Sequence, residues 1–305
     1  MDVNFEYYKI FYYVARYGNI TKAARALGSS QPNVTRVMKL LEAQLDCRLF
    51  LREARGISLT EEGERLYSHV EVACRHLLDA QEEIFSRGSQ GCGTVEIGTT
   101  ETALHLFLLN VLRDFKQEYP GIRIRIHNHT TPETIRHLVS GRVDLALITT
   151  PFETPGTVSC VKALDFEEIL VGGTQYAALA EKPMELEDVR RYPWIGLGRG
   201  SATYELYQNF FIENRLDLEP DMEVETSGLM LPLIENNLGV GFVPQKLAAP
   251  LLAEGKLVHI QLCCGIPGRA VQIALDRERR RSPAADTFYR YITGRARFPH
   301  ACEDL

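Results

Sequence analysis

The sequence lacks the features of membrane, exported and disulfide-stapled proteins. No stretch approaches the roughly 18 consecutive apolar residues of a spanning helix. The first six residues do not begin the basic and then apolar run of a signal peptide. Its seven cysteines contain no Cys-x-x-Cys pair. We therefore expect a cytoplasmic protein without membrane contacts, whose fold needs neither zinc nor disulfide bonds. Inert thiols are favoured, and a redox-sensing thiol stays open.

Catalytic and metal-binding signatures are also missing. Neither His-Glu-x-x-His nor Gly-x-Ser-x-Gly occurs. His127 and His129 alternate on a predicted strand without a third ligand nearby in the sequence. The glycine-rich residues 196 to 200 match neither a dinucleotide fingerprint nor a P-loop, so they predict a turn. We therefore expect no enzyme activity, no metal and no cofactor.

Size and charge indicate a modular globular protein. A chain of 305 residues exceeds one ordinary core, and its 45% hydrophobic and 24% charged residues are typical of soluble domains. The net charge of -6 conceals an asymmetry. Residues 1 to 60 hold nine Lys or Arg against five Asp or Glu, whereas residues 61 to 88 hold three against seven. Only the first sixty residues are suited to bind a polyanion.

Three helices are predicted before residue 46. The first places its apolar residues on one face, namely Phe5, Tyr8, Phe11, Tyr12 and Ala15, and is expected to end at Gly18. The second has Thr21 as its predicted cap and carries the small residues Ala23 and Ala24. The third begins after Gly28 with Pro32 in its first turn. This order predicts a tight helix-turn-helix.

The third predicted helix has the polar face of a recognition helix. Its inward positions are Val34, Val37, Leu41 and Leu45. Its outward residues can bond base edges and phosphates in the major groove, although a merely solvated face is the alternative. Residues 49 to 52 and 55 to 60 predict two short strands around a basic turn, which form a wing. The predicted DNA-contacting residues are Thr21, Ser30, Gln31, Pro32, Asn33, Thr35, Arg36, Lys39, Arg52 and Arg55.

These residues resemble the LysR-type transcriptional regulator family. The motifs are Ile20-Thr21-x-Ala23-Ala24-x-x-Leu27, Ser30-Gln31-Pro32-x-Val34-Thr35, Leu41-Glu42-x-x-Leu45, Leu49-Phe50-x-Arg52 and Leu59-Thr60-x-x-Gly63. Five fragments in register with the predicted helices and wing are highly specific. Two positions depart from the family: Asp46 stands where glycine is usual, and Thr35 replaces the commoner serine. The turn at Asp46 must therefore accept a side chain.

A long helix is predicted between the domains. Its apolar residues form a heptad seam over residues 64 to 86: Leu66, Val70, Ala73, Leu77, Ala80 and Ile84. We expect this seam to pair with its twin, as the resemblance also implies; a helix packed on its own domain is the alternative. Pairing places two recognition helices on successive major-groove faces, so a pseudo-palindromic double-stranded DNA site follows.

Strands and helices alternate beyond the glycine-rich residues 88 to 93, which predicts an α/β region. Strands are expected at residues 95–97, 122–126 and 143–148 in one open parallel sheet, and at 194–197, 222–226 and 240–243 in a second half. Residues 270–275 predict a late strand, with Ser282 and Pro283 starting a final helix, so the chain returns to the first half. The resemblance implies a periplasmic-binding-protein-like fold of two Rossmann-like subdomains. The predicted fold class is therefore α+β multidomain, with a winged helix-turn-helix DNA-binding domain at 1–63, a linker and dimerisation helix with a hinge at 64–90, and an effector-binding domain at 91–305. Within the last, subdomain I is expected at about 91–164 and 268–300 and subdomain II at about 165–267.

Hydroxyl side chains follow nearly every predicted strand. Ligands of such folds lie at the carboxyl ends of strands, near helix N-termini. The predicted effector contacts are Thr99, Thr100, Thr102, Thr130, Thr149, Thr150, Arg199, Ser201, Thr226 and Ser227, with Thr131 beside them. A capping or turn role is the alternative for each threonine. Arg199 favours an anionic ligand and Glu101 opposes one, so the charge of the ligand stays open.

The sequence thus predicts a DNA-binding transcriptional regulator with a small-molecule effector. Family resemblance implies a homodimer that assembles into a homotetramer, with an effector that alters the DNA bend. RNA polymerase is a further candidate partner. Two alternatives stay open: an enzyme with an attached DNA-binding domain, and an architectural DNA protein whose C-terminal domain binds no ligand.

Overall fold

The computed structural model describes residues 3–53, 56–85 and 92–296, which form two compact units, Met1–Gly88 and Ser89–Leu305. The N-terminal unit contains α1 (Phe5–Tyr17), α2 (Ile20–Ala26), α3 (Gln31–Leu45), β1 (Phe50–Glu53), β2 (Gly56–Leu59) and α4 (Glu61–Phe85). The predicted three helices, wing and long helix are all confirmed. The long helix begins at Glu61, three residues before the predicted seam.

Capping residues delimit the first three helices. As predicted, α1 ends at Gly18, whose φ of 55° is the left-handed conformation that glycine adopts easily. The prediction of Thr21 as the cap of α2 is wrong. Asn19 caps this helix instead, because its side chain accepts a hydrogen bond from Lys22 N at 3.0 Å. Thr21 is the second residue of the helix and is exposed.

Asp46 ends α3 in the same left-handed conformation, with φ 50° and ψ 38°. Asp tolerates this region better than most residues because its short polar side chain bonds locally. The backbone N–H of Asp46 donates to Glu42 O. The position therefore keeps the backbone shape for which the family uses glycine.

The wing and α4 are fastened to α3 by residues of the recognised motifs. Glu42 Oε1 accepts hydrogen bonds from the backbone N–H groups of Leu49 and Phe50, at 2.8 and 3.3 Å. The hydroxyl of Thr60 accepts from Gly63 N at 3.0 Å, in the first turn of α4. A Cβ at Gly63 would lie 2.2 Å from Leu49 O, so only glycine fits there. These motif residues therefore hold the wing in place.

The C-terminal unit begins with one layered α/β subdomain. Its elements are β3 (Gly93–Thr99), α5 (Glu101–Ala103), a π-helical turn (Leu104–Leu108), α6 (Leu109–Glu118), β4 (Ile122–Asn128), α7 (Thr131–Ser140), β5 (Leu145–Thr149) and β6 (Val158–Phe166). The predicted strand 143–148 is confirmed only from Leu145, because Val143 and Asp144 precede it.

The second subdomain follows without a break. Its elements are β7 (Glu168–Gly173), a 3₁₀ segment (Thr174–Ala180), α8 (Leu186–Val189), β8 (Ile195–Leu197), α9 (Ala202–Glu213), β9 (Met222–Val224), a 3₁₀ turn (Ser227–Leu229), α10 (Met230–Glu235), β10 (Val240–Pro244), α11 (Gln245–Ala253) and β11 (Leu257–Ile260). The chain then returns through β12 (Arg269–Asp276) and α12 (Pro283–Ala296) to the first subdomain, as predicted.

The prediction of one open parallel sheet is wrong. The first sheet has the order β4-β3-β5-β12-β6, and β12 runs antiparallel to both of its neighbours. Antiparallel pairing needs no helical crossover, which is how the returning strand enters the sheet. The second subdomain has the order β10-β7-β11, with a separate parallel pair β8-β9. Each subdomain has its own apolar core, centred on Phe115 and Phe288 in the first and on Trp194 and Phe242 in the second.

Candidate functional site

The outer face of α3 carries exposed polar side chains above a buried row. Val34, Val37 and Leu41 are buried as predicted, and Leu45 is half-buried. Gln31, Pro32, Arg36 and Lys39 are exposed, as is the capping residue Ser30, whose hydroxyl accepts from Asn33 N at 3.4 Å. The helix thus presents two cations and an amide to solvent on one side of its axis.

Asn33 and Thr35 are half-buried and bonded within the protein. The Asn33 amide donates to Ser29 Oγ at 3.0 Å and accepts from the Arg36 guanidinium at 3.1 Å. The Thr35 hydroxyl donates to Gln31 O at 3.0 Å. The Asn33 amide is therefore not free in solvent, and its hydrogen bond orients the Arg36 guanidinium. Fixing a long cation before contact reduces the entropy lost on binding.

The remaining predicted DNA contacts are less fully described. Arg52 lies in β1, paired with Ile57 across the wing, and Arg55 lies outside the described residues. Lys22 and Arg25, which were not among the predicted contacts, are exposed on α2. Their position suits a phosphate contact, because the first helix of a helix-turn-helix crosses the phosphate backbone.

The heptad seam of α4 is divided between two environments. Leu66 and Val70 pack in the core of the N-terminal unit, so the alternative of a helix on its own domain holds for this half. Ala73 and Ala80 are exposed, and Leu77 is 64% exposed. The side chain of Ile84 is not described. The outward half and Phe5, which is 81% exposed, border an apolar groove of about 500 Å³ between α1 and α4.

A cleft of about 500 Å³ lies between the two subdomains of the C-terminal unit. Most predicted effector contacts line it, namely Thr100, Thr102, Thr130, Thr131, Thr149, Arg199, Ser201, Thr226 and Ser227. Thr99 and Thr150 do not. Thr99 is fully buried and its hydroxyl donates to Thr100 O, while the Thr150 hydroxyl accepts from Ala270 N at 2.8 Å. Both point to structural roles.

Several cleft hydroxyls also cap helices. Thr100 Oγ1 accepts from Ala103 N at 3.3 Å and Ser201 Oγ accepts from Tyr204 N at 3.1 Å, while at the N-cap residue Thr130 the backbone N–H and the hydroxyl both donate to Glu133 Oε2, at 3.4 and 3.1 Å. The capping alternative is therefore correct for these three residues, which also line the cleft. Thr226 differs, because its side chain forms no capping hydrogen bond.

Among the described residues, hydrogen bonds of Thr102 and Glu101 cross the cleft. The Thr102 hydroxyl donates to Ser227 Oγ at 3.2 Å, and Gly228 N donates to Glu101 Oε2 at 2.7 Å. A Cβ at Gly228 would lie 2.1 Å from Glu101 Oε1, so glycine permits this approach. Glu101 therefore has a structural partner on the opposite wall.

The charged side chains of the cleft were partly missed from the sequence. Glu133, Glu225, Arg136 and His129 line it together with Glu101 and Arg199. Burial lowers the pKa of His129, although Glu133 acts in the opposite direction. The lowered pKa favours a neutral His129 ring near pH 7. With three carboxylates and two guanidiniums, the lining offers partners for either ligand charge.

The described residues, 3–53, 56–85 and 92–296, contain no cluster of three His, Cys, Asp or Glu placed to hold a metal ion. Within the same ranges, no helix is long and apolar enough to cross a membrane.

Burial raises the pKa of the Cys74 and Cys160 thiols, which favours their protonated and less reactive form.

Two family models cover both units. Residues 5–64 match the bacterial regulatory helix-turn-helix protein, lysR family, and residues 88–297 match the LysR substrate binding domain. The chain belongs to the LysR family of transcriptional regulators. The regulator GltR of Bacillus subtilis is 26% identical over 255 residues, covering 84% of each chain. The transcriptional activator CmpR of Synechocystis is 27% identical over 236 residues, covering 77% of each.

Solved structures of LysR-type regulators share the fold. CbnR, a LysR family transcriptional regulator, superposes with a TM-score of 0.71 at 20% identity, covering 96% of this chain and 99% of its own. CbnR complexed with its target DNA gives the same TM-score at 21% identity and the same coverage. The effector binding domain of QuiR in complex with shikimate covers 68% of this chain and 98% of its own, at 17% identity and a TM-score of 0.60. The LysR-type prediction is confirmed, and both GltR and CmpR are named transcriptional regulators.

Proposed function

We propose that this regulator binds a pseudo-palindromic DNA site as a homodimer, two of which form a tetramer, in the cytoplasm. A small molecule in the interdomain cleft then alters the relation between dimers and the bend of the DNA. The observation that carries this proposal is the outer face of α3, where Asn33 holds the exposed Arg36 beside Gln31 and Lys39. Contact with RNA polymerase is a further part of the proposal.

The outward half of α4 supports the dimer. Exposed apolar side chains at Phe5 and Leu77 border one groove, and burying such a surface against a twin helix removes it from water. A two-fold pair presents two copies of α3, which suits half-sites one helical turn apart. The net positive charge of residues 1 to 60 supplies the phosphate attraction.

The cleft supports the effector. Its volume of about 500 Å³ lies within the range of small-molecule sites. Hydroxyl groups from both subdomains line the cleft, and the Thr102 and Ser227 hydroxyls are hydrogen-bonded across it. A bound ligand would contact both subdomains. In QuiR, the domain of this fold was solved with shikimate, a small organic molecule.

A thermal-melting screen of the full chain against metabolites tests the effector role. A ligand at 100 times its Kd should add about 2.7 kcal/mol to the free energy of unfolding. Thr226→Val removes a cleft hydroxyl without removing a cap, so it should reduce the shift, whereas Ser140→Ala, an exposed change on α7, should preserve it. If no compound of the panel stabilises the protein while DNA binding is intact, the result would support the alternative of an architectural DNA protein whose C-terminal domain binds no ligand.

A further inference from the structure

A second and smaller cavity, here called the inner chamber, lies beside the cleft and is lined mainly by the second subdomain. Its volume is about 50 Å³. The chamber is therefore much smaller than the cleft and admits only a small group. The chamber shares four lining residues with the cleft, Thr102, Leu197, Thr203 and Ser227, so the two cavities are neighbours.

The walls of the inner chamber are largely apolar and include four aromatic side chains. Trp194, Tyr204, Tyr207 and Phe242 all line it. The Tyr207 and Phe242 rings stack with centroids 4.4 Å apart, and Trp194 meets Phe242 edge-on at 5.3 Å. Such walls favour an apolar group and hold it in a defined position.

Tyr207 contributes a polar atom that the protein leaves without a partner. The residue is 7% exposed, and within the described part of the chain its buried hydroxyl has no hydrogen-bond partner. Tyr207 follows Thr203 by four residues on α9, so the two residues lie on the same face of the helix, about 6 Å apart along its axis. Buried hydroxyls normally have partners, which makes this one a candidate ligand contact.

The charged residues at the chamber do not offer a free charge. Arg269 and Glu168 line it and are paired with each other. Arg269 also donates to Thr149 Oγ1, Thr203 Oγ1 and Thr150 O at 2.8–3.0 Å. Four of its five N–H donors are therefore engaged. A group entering the chamber meets a neutral environment.

We infer that the inner chamber receives one end of the effector, a short uncharged apolar group that carries a hydrogen-bonding oxygen, and that Tyr207 selects this oxygen. The inference rests on the proposed function, because it makes the chamber an extension of the effector cleft. The effector class is then a small molecule with a polar part in the threonine-lined cleft and an alcohol or carbonyl at its apolar end.

Fluorescence of Trp194 tests this inference directly, because it is the only tryptophan of the chain and it lines the chamber. The probes are 2-bromoethanol and 1-bromopropane, which differ by a methyl group in place of the hydroxyl. Bromine quenches indole fluorescence on contact. We expect saturable quenching by both probes, with 2-bromoethanol bound about fivefold more tightly because Tyr207 bonds its hydroxyl.

A chamber that is only an apolar packing defect gives the opposite order, since the methyl group leaves water more readily. Tyr207→Phe should therefore reverse the preference to 1-bromopropane. Tyr176→Phe alters a buried tyrosine of the same subdomain that does not line the chamber, and it should keep the wild-type order. The comparison of the two probes uses the unaltered protein, so it stands even if Tyr207→Phe misfolds.

Non-saturating quenching, or a wild-type preference for 1-bromopropane, overturns the inference. Operator binding by the same preparation separates this failure from failure of the proposed function. If DNA binding is intact but quenching is not selective, only the inference about the inner chamber is refuted. If quenching is selective but DNA binding is absent, the proposed function is refuted and the inner chamber remains a binding site.

Discussion

Arg269 donates a hydrogen bond to Glu168 in the interior of the C-terminal unit, where the two side chains are 1% and 3% exposed. The guanidinium also bonds Thr149 at the end of β5 and Thr203 on α9. It thereby joins the two subdomains at the cleft and lies over the Phe166 ring at 5.4 Å. This ion pair is a structural clamp between the subdomains.

Arg269→Met should lower the free energy of unfolding of the C-terminal unit by about 3–5 kcal/mol, because it leaves Glu168 buried without a counter-charge. Urea titration followed by Trp194 fluorescence measures this unit. The exposed pair of Arg191 and Asp188 provides the control, and Arg191→Met should change the value by less than about 0.5 kcal/mol. The double variant Arg269→Met with Glu168→Leu should recover stability; equal losses in single and double variants would argue against the clamp.

Local patterns of the sequence predicted much of the fold. The end of α1 at Gly18 and the buried row Val34, Val37 and Leu41 both follow from interactions within a few residues. The choice between Asn19 and Thr21 failed because both can cap a helix and they lie two positions apart. Motif residues such as Glu42 and Gly63 were recognised by resemblance, and the structure gives their physical role.

Long-range relations were beyond local reasoning. Arg269 lies 119 residues after Thr150 in the chain, and the antiparallel entry of β12 depends on where the returning segment lands. The cleft hydroxyls were found because parallel strands end at a shared edge, but Thr99 and Thr150 could not be separated from their neighbours without knowing which side chains turn inward. The unpartnered hydroxyl of Tyr207 has no sequence signal.

Arg36→Ala should weaken operator binding by about tenfold or more while leaving thermal stability unchanged. Arg36 is exposed, and a base-edge or phosphate contact from a positioned guanidinium contributes roughly 1–3 kcal/mol. Titration by fluorescence anisotropy gives the affinity. Arg113→Ala removes the same charge from the C-terminal unit and should have no such effect. An unchanged affinity of Arg36→Ala would exclude Arg36 from the DNA contacts.

Leu77→Asp should convert the assembled protein to smaller species, because it places a charge in the groove that we assign to the twin helix. Sedimentation velocity measures the species present. Ile212→Asp is a matched control, since Ile212 is similarly exposed, at 56%, but lies on α9. If Leu77→Asp sediments as the wild type does, the outward half of α4 is not the dimer interface.

Stability of the C-terminal unit should fall as the pH drops from about 6.5 towards 4, partly because of His137. Burial lowers the pKa of His137 to about 4, with His129 and Arg142 acting in the same direction. In the unfolded chain histidine binds its proton near pH 6.5, so the unfolded state takes up more protons in this window and is favoured. His137→Gln should flatten melting temperature against pH there, whereas His259→Gln, on an exposed position, should not.

The most direct test of the account is fluorescence anisotropy of the full chain on DNA from immediately upstream of its own coding region, with unrelated DNA as the control and salt as the variable. We predict roughly a thousandfold preference for the upstream DNA. The logarithm of the binding constant should fall linearly with the logarithm of the salt concentration, with a slope that corresponds to several neutralised phosphates. Equal binding to both DNAs would indicate an architectural protein. Binding to neither, at any salt concentration, would contradict the assignment of α3 and the wing as a DNA-reading surface.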